Sequence, residues 1–159
     1  MDIFIEEHRQ MLFALKANDV RFMLIGGYAV IYHGYARTTN DMDIWIDTGT
    51  DNQLKLANAF RDFGIEEEGI AEFKKLDFTA PQQLFSTGTA PRTIEFLTIV
   101  SNVNFDEAYE QAEHLKIGEA YIPVIHYNQL ILSKITSDRL KDKADVEELQ
   151  RINKYRKNK

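Results

Sequence analysis

The segment from Phe22 to Asp47 constrains the fold of this 159-residue chain more than any other stretch. It begins with a short apolar run that ends at Gly26 and Gly27, and a second apolar run follows the two glycines. A polar loop then leads to the sequence Asp-Met-Asp-Ile-Trp-Ile-Asp. Short apolar runs bounded by turn residues are typical of buried elements, and a glycine pair between them favours a tight turn. We therefore predict a strand, a glycine turn, a short helix, a loop and a second strand.

The second strand carries the residues that most clearly suggest chemistry. Side chains alternate between the two faces of a strand, so Asp41 and Asp43 share one face with Trp45 and Asp47 and point away from the core. Two adjacent carboxylates resist joint ionisation unless a cation intervenes, and Mg²⁺ binds through one or two carboxylates plus substrate phosphates. The pair therefore predicts a divalent-cation site. The opposite face carries the residues expected in the core, which are Met42, Ile44 and Ile46.

The two glycines predict an anion site beside the carboxylates. Glycine allows positive φ and lets a ligand approach the backbone closely, and the first N–H groups of a helix suit a phosphate. One segment thus offers both a phosphate cradle and a carboxylate pair. Taken separately, a Gly-Gly pair is most often only a turn, and Asp-x-Asp in an acidic chain is most often a solvated edge.

In this order, the features resemble the signature of the polymerase-β-like nucleotidyltransferase superfamily. That signature is a Gly-Gly or Gly-Ser turn that opens a helix, followed by Asp-x-Asp on the next strand. Glu95, in the run Ile-Glu-Phe-Leu, matches the family pattern for a third carboxylate, and Asp77 is the alternative. Lys134 followed by Lys-Asp-x-x-Asp at 141–145 resembles the C-terminal part of bacterial AbiEii-type and minimal nucleotidyltransferase-like proteins.

The resemblance implies transfer of a nucleoside monophosphate from an NTP to an acceptor hydroxyl. It makes Asp41, Asp43 and Glu95 both the catalytic residues and the ligands of one or two Mg²⁺ ions, with Mn²⁺ as an alternative. Glu95 is also a candidate base. The acceptor stays open among an RNA end, a protein hydroxyl and a small molecule. The nucleotide-binding residues that the resemblance implies are Gly26, Gly27, Thr38, Thr39 and Lys134.

Three further residues are secondary candidates. Arg37 either contacts phosphate or ribose or anchors its loop. Asp142 and Asp145 share a helix face and either hold Lys134 over the phosphates or frame the pocket.

Two departures from the family pattern support an alternative function. Gly27 stands where many active relatives have serine, and Glu95 stands where Asp is common. Either change fits a module that binds nucleotide or a partner protein without turnover, for example in a toxin–antitoxin pair. A phosphodiesterase is disfavoured because the chain has no His-rich cluster, and a Walker-type NTPase is excluded because its motif is absent.

The composition of the chain excludes some kinds of site and argues against some functions. The absence of cysteine excludes disulfides and thiolate zinc sites, and a net charge of −6 argues against non-specific wrapping of nucleic acid. The end of the chain, 151–159, is nonetheless basic, and we interpret it as a frayed, solvated terminus. No apolar run is long enough for a bilayer, and no basic region precedes the first apolar residues. We expect a cytoplasmic protein that makes no membrane contact.

The remaining patterns predict the architecture around this segment. We expect an α/β (α+β) nucleotidyltransferase-like fold, with a small mixed β-sheet flanked by helices. We expect one domain over 1–159, with a helical C-terminal part from about 126 in which Asn128 caps the first helix. Residues 70–80 fit either a short helix or a loop. The predicted helices are 3–17, 51–63, 104–112, 129–136 and a last one near 142, with a hairpin at 82–100 and two strands in 113–125.

Overall fold

The computed structural model describes residues 3–159, in which seven helices and six strands form. The helices are α1 (Glu6–Ala17), α2 (Gly26–Tyr32), α3 (Thr50–Phe63), α4 (Glu67–Lys74), α5 (Phe105–Glu110), α6 (Tyr127–Lys134) and α7 (Leu140–Lys157). The strands are β1 (Phe22–Ile25), β2 (Met42–Ile46), β3 (Gln83–Thr87), β4 (Ile94–Leu97), β5 (Glu113–Ile117) and β6 (Ala120–Val124). Over residues 3–159, no helix combines the length and apolar content needed to cross a bilayer.

The strands form one mixed sheet in the order β3-β4-β2-β1-β6-β5. β2 runs antiparallel to β1 and parallel to β4, while β1 runs parallel to β6. The last residues of β1 and β6 therefore lie at the same edge of the sheet as the first residues of β2 and β4. The predicted α/β fold class with a mixed sheet is confirmed.

Aromatic packing fills one face of the sheet. Phe60 of α3 stacks on Phe85 of β3 and packs edge-on against Phe96 of β4 and Phe73 of α4. Ile44 pairs with Phe96 in register, so the apolar face of β2 points into this core as predicted.

The opposite face of β2 is only partly open, which corrects one prediction. The alternation of side chains predicts that Trp45 points away from the core with Asp41 and Asp43, but Trp45 is 2% exposed. It packs edge-on against Phe105 of α5, with ring centroids 5.1 Å apart. Because α5 covers the Trp45 end of the strand, only the end that carries the two carboxylates faces a cleft.

Three boundaries also differ from prediction. Residues 70–80 were predicted as either a short helix or a loop, and α4 includes the first part of this stretch but begins earlier, at Glu67. Its first turn holds Glu67 and Glu68, where acidic side chains interact favourably with the helix dipole. His126, not Asn128, caps α6, because its Nδ1 accepts a hydrogen bond from the Asn128 N–H (3.1 Å). The basic end of the chain is not frayed, since α7 continues to Lys157.

Candidate active site

The sheet register brings the three predicted carboxylates to one edge. Asp43 of β2 lies opposite Ile25 at the end of β1 on one side and opposite Glu95 of β4 on the other. Asp41 directly precedes β2 and is exposed. The glycine turn after Ile25 and the third carboxylate are therefore both direct neighbours of Asp43.

Thr93 links two of the carboxylates. Its hydroxyl lies 2.9 Å from Asp41 Oδ1 and 2.6 Å from Glu95 Oε1, and its backbone N–H donates to the same Asp41 oxygen (3.2 Å). Ser86 of β3 adds a hydroxyl 3.1 Å from Glu95 Oε1. Neither hydroxyl was predicted from the sequence. Thr93 carries a weak signal, because a residue two positions before Glu95 lies on the same face of an extended chain.

The surroundings of Asp43 shift its pKa upwards. Burial, and then the negative charges of Asp41 and Glu95, raise the pKa of Asp43 to about 6, although Lys134 and Arg139 partly oppose the shift. The raised pKa shows that the ionised form of this carboxylate is destabilised and would be relieved by a cation.

This shift predicts a pH-dependent effect of Asp43→Asn on stability. The folded-state pKa lies above the unfolded value of 3.8, so the folded protein holds this proton more tightly than the unfolded chain does. The contribution of this carboxyl to stability is therefore fully present below pH 3.8 and is lost as the pH rises through 6. At pH 7.5 in EDTA, we expect the variant to exceed the wild type in free energy of unfolding by on the order of 2 kcal/mol. At pH 3.5, the two proteins should be equal. Urea titrations at both pH values measure the difference, and a variant that is less stable at pH 7.5 would contradict the assignment.

Gly26 allows the turn to lie against Asp43. Its φ is +65°, in the left-handed region that favours glycine, and a Cβ built there would overlap Asp43 Oδ2. A Cβ on Gly27 would overlap Thr39 Oγ1 and lie 3.3 Å from Arg37 Nη1. The loop before β2 thus fills the space that a serine at position 27 would need.

A buried network of charges ties this loop to the C-terminal helices. Asp145 of α7, with no exposed side-chain surface, accepts hydrogen bonds from Arg37 Nε and Nη2 at 2.8 and 3.0 Å. Its other partner is Lys134 Nζ at 3.1 Å, and the same amine donates to Asp142 Oδ1 at 2.8 Å. Because Arg37 Nη1 donates to the Thr38 carbonyl, every nitrogen of this guanidinium has a partner, and the structure shows Arg37 anchoring the loop.

Asp41, Asp43 and part of the buried network border a cleft of about 680 Å³, whereas Glu95 is not among the residues that line it. Its walls include Gly26, Gly27, Thr39, Asp41, Asp43, Lys134 and Asp142, with an apolar part formed by Leu97, Ile99 and Val100. Two basic residues that were not predicted as site residues, Arg139 and Lys141, also line it.

Two predicted residues lie elsewhere. Thr38 is exposed and does not line the cleft. Asp77 forms hydrogen bonds with the Thr79 hydroxyl (2.7 Å) and N–H (3.1 Å) in the turn after α4, so its carboxylate stabilises that turn. Asp77 is therefore not the third carboxylate of the cluster.

The donor set fits a hard cation only in part. Within residues 3–159, no group of three or more Asp, Glu or His side chains converges on a single metal position. Asp41 and Asp43 nevertheless supply carboxylate oxygens at an open cleft, and Gly26 leaves room beside Asp43. Two carboxylates completed by substrate phosphates are a common Mg²⁺ arrangement.

Comparison with known proteins supports the same fold and family. A family model described as "Nucleotidyl transferase of unknown function (DUF2204)" matches residues 4–159. The crystal structure of the lincosamide antibiotic adenylyltransferase LnuA, with lincomycin bound, aligns with a TM-score of 0.58 and 16% identity. The alignment covers 94% of this chain and 98% of that one, and at this identity it shows the fold alone. A search of curated proteins found no match.

Proposed function

We propose that this chain, which belongs to the DUF2204 family of nucleotidyl transferases, moves a nucleoside monophosphate from an NTP to the hydroxyl of a small molecule. The observation that carries the proposal is the register that places Asp43 between the glycine turn and Glu95. This arrangement puts the glycine turn next to Asp41 and Asp43 in one cleft, with Glu95 paired to Asp43 on the neighbouring strand. The narrower AbiEii-type relationship remains a prediction.

The reaction is an in-line displacement at phosphorus. The acceptor oxygen attacks the α-phosphorus, the bond from that phosphorus to the oxygen bridging to the β-phosphate breaks, and pyrophosphate leaves. We assign Glu95 as the base that takes the hydroxyl proton, because Thr93 and Ser86 orient its Oε1 beside Asp43.

Asp41 and Asp43 are assigned as the residues that would hold Mg²⁺, or Mn²⁺ as an alternative, with Glu95 nearby. When bound, such an ion offsets phosphate charge and lowers the pKa of the acceptor hydroxyl. The Thr93 backbone N–H donates to Asp41 Oδ1 (3.2 Å), so Asp41 is oriented before any ligand arrives.

Thr39 is assigned as the hydroxyl that contacts phosphate. Many relatives place a serine directly after the first glycine, whereas this chain has Gly27. Thr39 Oγ1 lies where the Cβ of such a serine would be, and it faces the same cleft. The departure at position 27 is thereby compensated by a residue from the loop before β2.

The small-molecule acceptor is supported by three observations. The structural neighbour is named a lincosamide antibiotic adenylyltransferase, and lincomycin is bound to it. The cleft volume, about 680 Å³, lies within the range of small-molecule sites, and the net charge of −6 disfavours broad contact with nucleic acid.

A label-transfer assay tests the function. Each α-labelled NTP is incubated with protein and Mg²⁺, and total RNA, total protein and a pool of small hydroxyl compounds are offered as acceptors. Label in the small-molecule fraction, absent with Asp41→Asn, is the expected result. Label in RNA or protein would overturn the acceptor class but retain the transferase.

A nucleotide-binding module without turnover is the second candidate. It is favoured by one observation, the absence of a preformed three-ligand metal group within residues 3–159. NTP binding by calorimetry with no label in any fraction would select this candidate over the transferase.

Substitution of Gly26 separates the role of the turn in catalysis from its role in folding. In Gly26→Ala, the new Cβ forces the Asp43 carboxylate to move, and misplacement of a reacting group by about 1 Å typically costs on the order of 100-fold in rate. Gly118→Ala is the matched control, because Gly118 has φ +59° with open space around its Cβ position. We expect each variant to lose at least about 1–2 kcal/mol of stability, with the larger loss in Gly26→Ala because its Cβ also displaces Asp43, and loss of transfer only in Gly26→Ala. Equal transfer rates in the two variants would contradict the close approach to Asp43.

A further inference from the structure

The cations of the buried network contribute little net charge to the cleft. Arg37 and Lys134 are 13% and 11% exposed, and both are held by Asp145, while Lys134 is also held by Asp142. Two positive and two negative groups thus form a neutral cluster. Lys134 was predicted to face the nucleotide phosphates with Asp142 and Asp145 holding it, and its amine does have both carboxylates as partners.

Two other cations at the cleft are not neutralised in this way. The Arg139 side chain is 72% exposed, and its only ion pair among residues 3–159 is a long one, 3.5 Å from Nε to Asp142 Oδ2. Lys141 is exposed and forms no ion pair within the described chain. Both line the cleft, and both belong to the turn that begins α7.

Arg139 lines the same cleft as Asp41 and Asp43. Its backbone N–H bonds to Ser137 Oγ (3.1 Å), and its side chain makes no capping hydrogen bond, so the helix start does not depend on the guanidinium.

We propose that Arg139 and Lys141 bind the outer phosphates of the NTP across the cleft from Gly26 and Asp43, while Lys134 serves to position α6 against α7. This inference rests on the proposed function, because it assigns the triphosphate to this cleft. A guanidinium and an ammonium with free donors form charge-assisted hydrogen bonds to phosphate oxygens. An amine already shared by two carboxylates has fewer donors to offer.

The test compares nucleotides that differ only in their number of phosphates. Binding of ATP, CTP, GTP and UTP and of the four monophosphates is measured by calorimetry with Mg²⁺ for wild type, Arg139→Gln and Lys141→Gln. Lys154→Gln is the matched control, since Lys154 is an exposed lysine of the same helix outside the cleft. We expect each cleft substitution to weaken triphosphate binding about tenfold. Monophosphate affinity and all affinities of Lys154→Gln should stay within about twofold of wild type.

The outcomes separate the inference from the function on which it rests. If the wild type binds a triphosphate but the two cleft substitutions leave its affinity unchanged, or weaken monophosphate and triphosphate equally, the assignment of Arg139 and Lys141 is wrong and the proposed function stands. If the wild type binds none of the four triphosphates, both the proposed function and this inference fail. Thermal unfolding of each variant shows whether a loss of affinity reflects a loss of fold.

Discussion

Asp43→Asn is expected to lower the rate of nucleotidyl transfer by at least about a thousandfold, because the proposed Mg²⁺ would lose one of its two assigned ligands and such an ion contributes several kcal/mol to stabilising the transition state. The substitution keeps the size of the side chain and removes only its charge. Asp43 is the carboxylate that lies between the other two elements of the site, the turn after Ile25 and Glu95. Steady-state release of pyrophosphate, measured with the acceptor found by label transfer, gives the rate.

The same strand supplies the control for this experiment. Asp47→Asn makes an identical chemical change just after β2, where the carboxylate pairs with Arg21 (3.2 Å) and lies away from the cleft. That pair is partly exposed, so its loss should cost less than about 1 kcal/mol and leave the rate within a few-fold of wild type. An Asp43→Asn protein that is folded and turns over normally would refute the assignment of Asp43. Inactivity of both variants would point to a general effect of charge on the protein.

The parts of the site that were predictable depend on local pattern. A glycine pair after an apolar run predicts the turn at Gly26, and Asp-x-Asp in a strand predicts the side-chain directions of Asp41 and Asp43, all within 18 residues of sequence. Glu95 was predicted because a carboxylate within an apolar strand needs a partner or a ligand. The sheet confirms that it neighbours Asp43.

The contacts that were missed join segments far apart in the chain. Thr93 reaches Asp41 across 52 positions, and Arg37 reaches Asp145 across 108. Periodicity can place each residue on a face of its own element, but it does not state which elements pack together. The contact of Lys134 with Asp142 and Asp145 was one of two predicted alternatives, and the structure places both carboxylates on its amine.

Two structural errors have a common physical cause, since each residue was interpreted without the element that covers it. Trp45 shares a face with two carboxylates, so the strand pattern places it on the side away from the core, but α5 packs on it there. The basic composition of the chain end predicts fraying, but Arg156 Nη1 donates to the His33 carbonyl at the end of α2 (3.2 Å) and lies over Gly34, which has no side chain to obstruct it.

Asp145→Asn should cause a large loss of stability, about 3–5 kcal/mol, which is the usual cost of removing one partner from a buried ion pair. Asp145 has no exposed surface and holds two cations, so the amide leaves Arg37 without a counter-charge, while Lys134 keeps Asp142. Since the free energy of unfolding of a folded domain is only about 5–15 kcal/mol, the variant should unfold at a clearly lower urea concentration. Asp138→Asn, on the exposed turn before α7, is the matched control and should change little.

A double-mutant cycle then identifies which cation, Arg37 or Lys134, accounts for the loss of stability. If the destabilisation comes from an unpaired guanidinium, Arg37→Gln should cost much less in the Asp145→Asn protein than in the wild type, with a coupling energy above about 1 kcal/mol. Arg37 donates to both Asp145 oxygens, at 2.8 and 3.0 Å. This bidentate geometry favours a larger loss of stability from the Arg37 pair than from the Lys134 pair. Additive effects of the two substitutions would show that the loop before β2 is held by contacts other than this pair. In that event, Arg37 would be available for phosphate, as its position beside Thr39 allows.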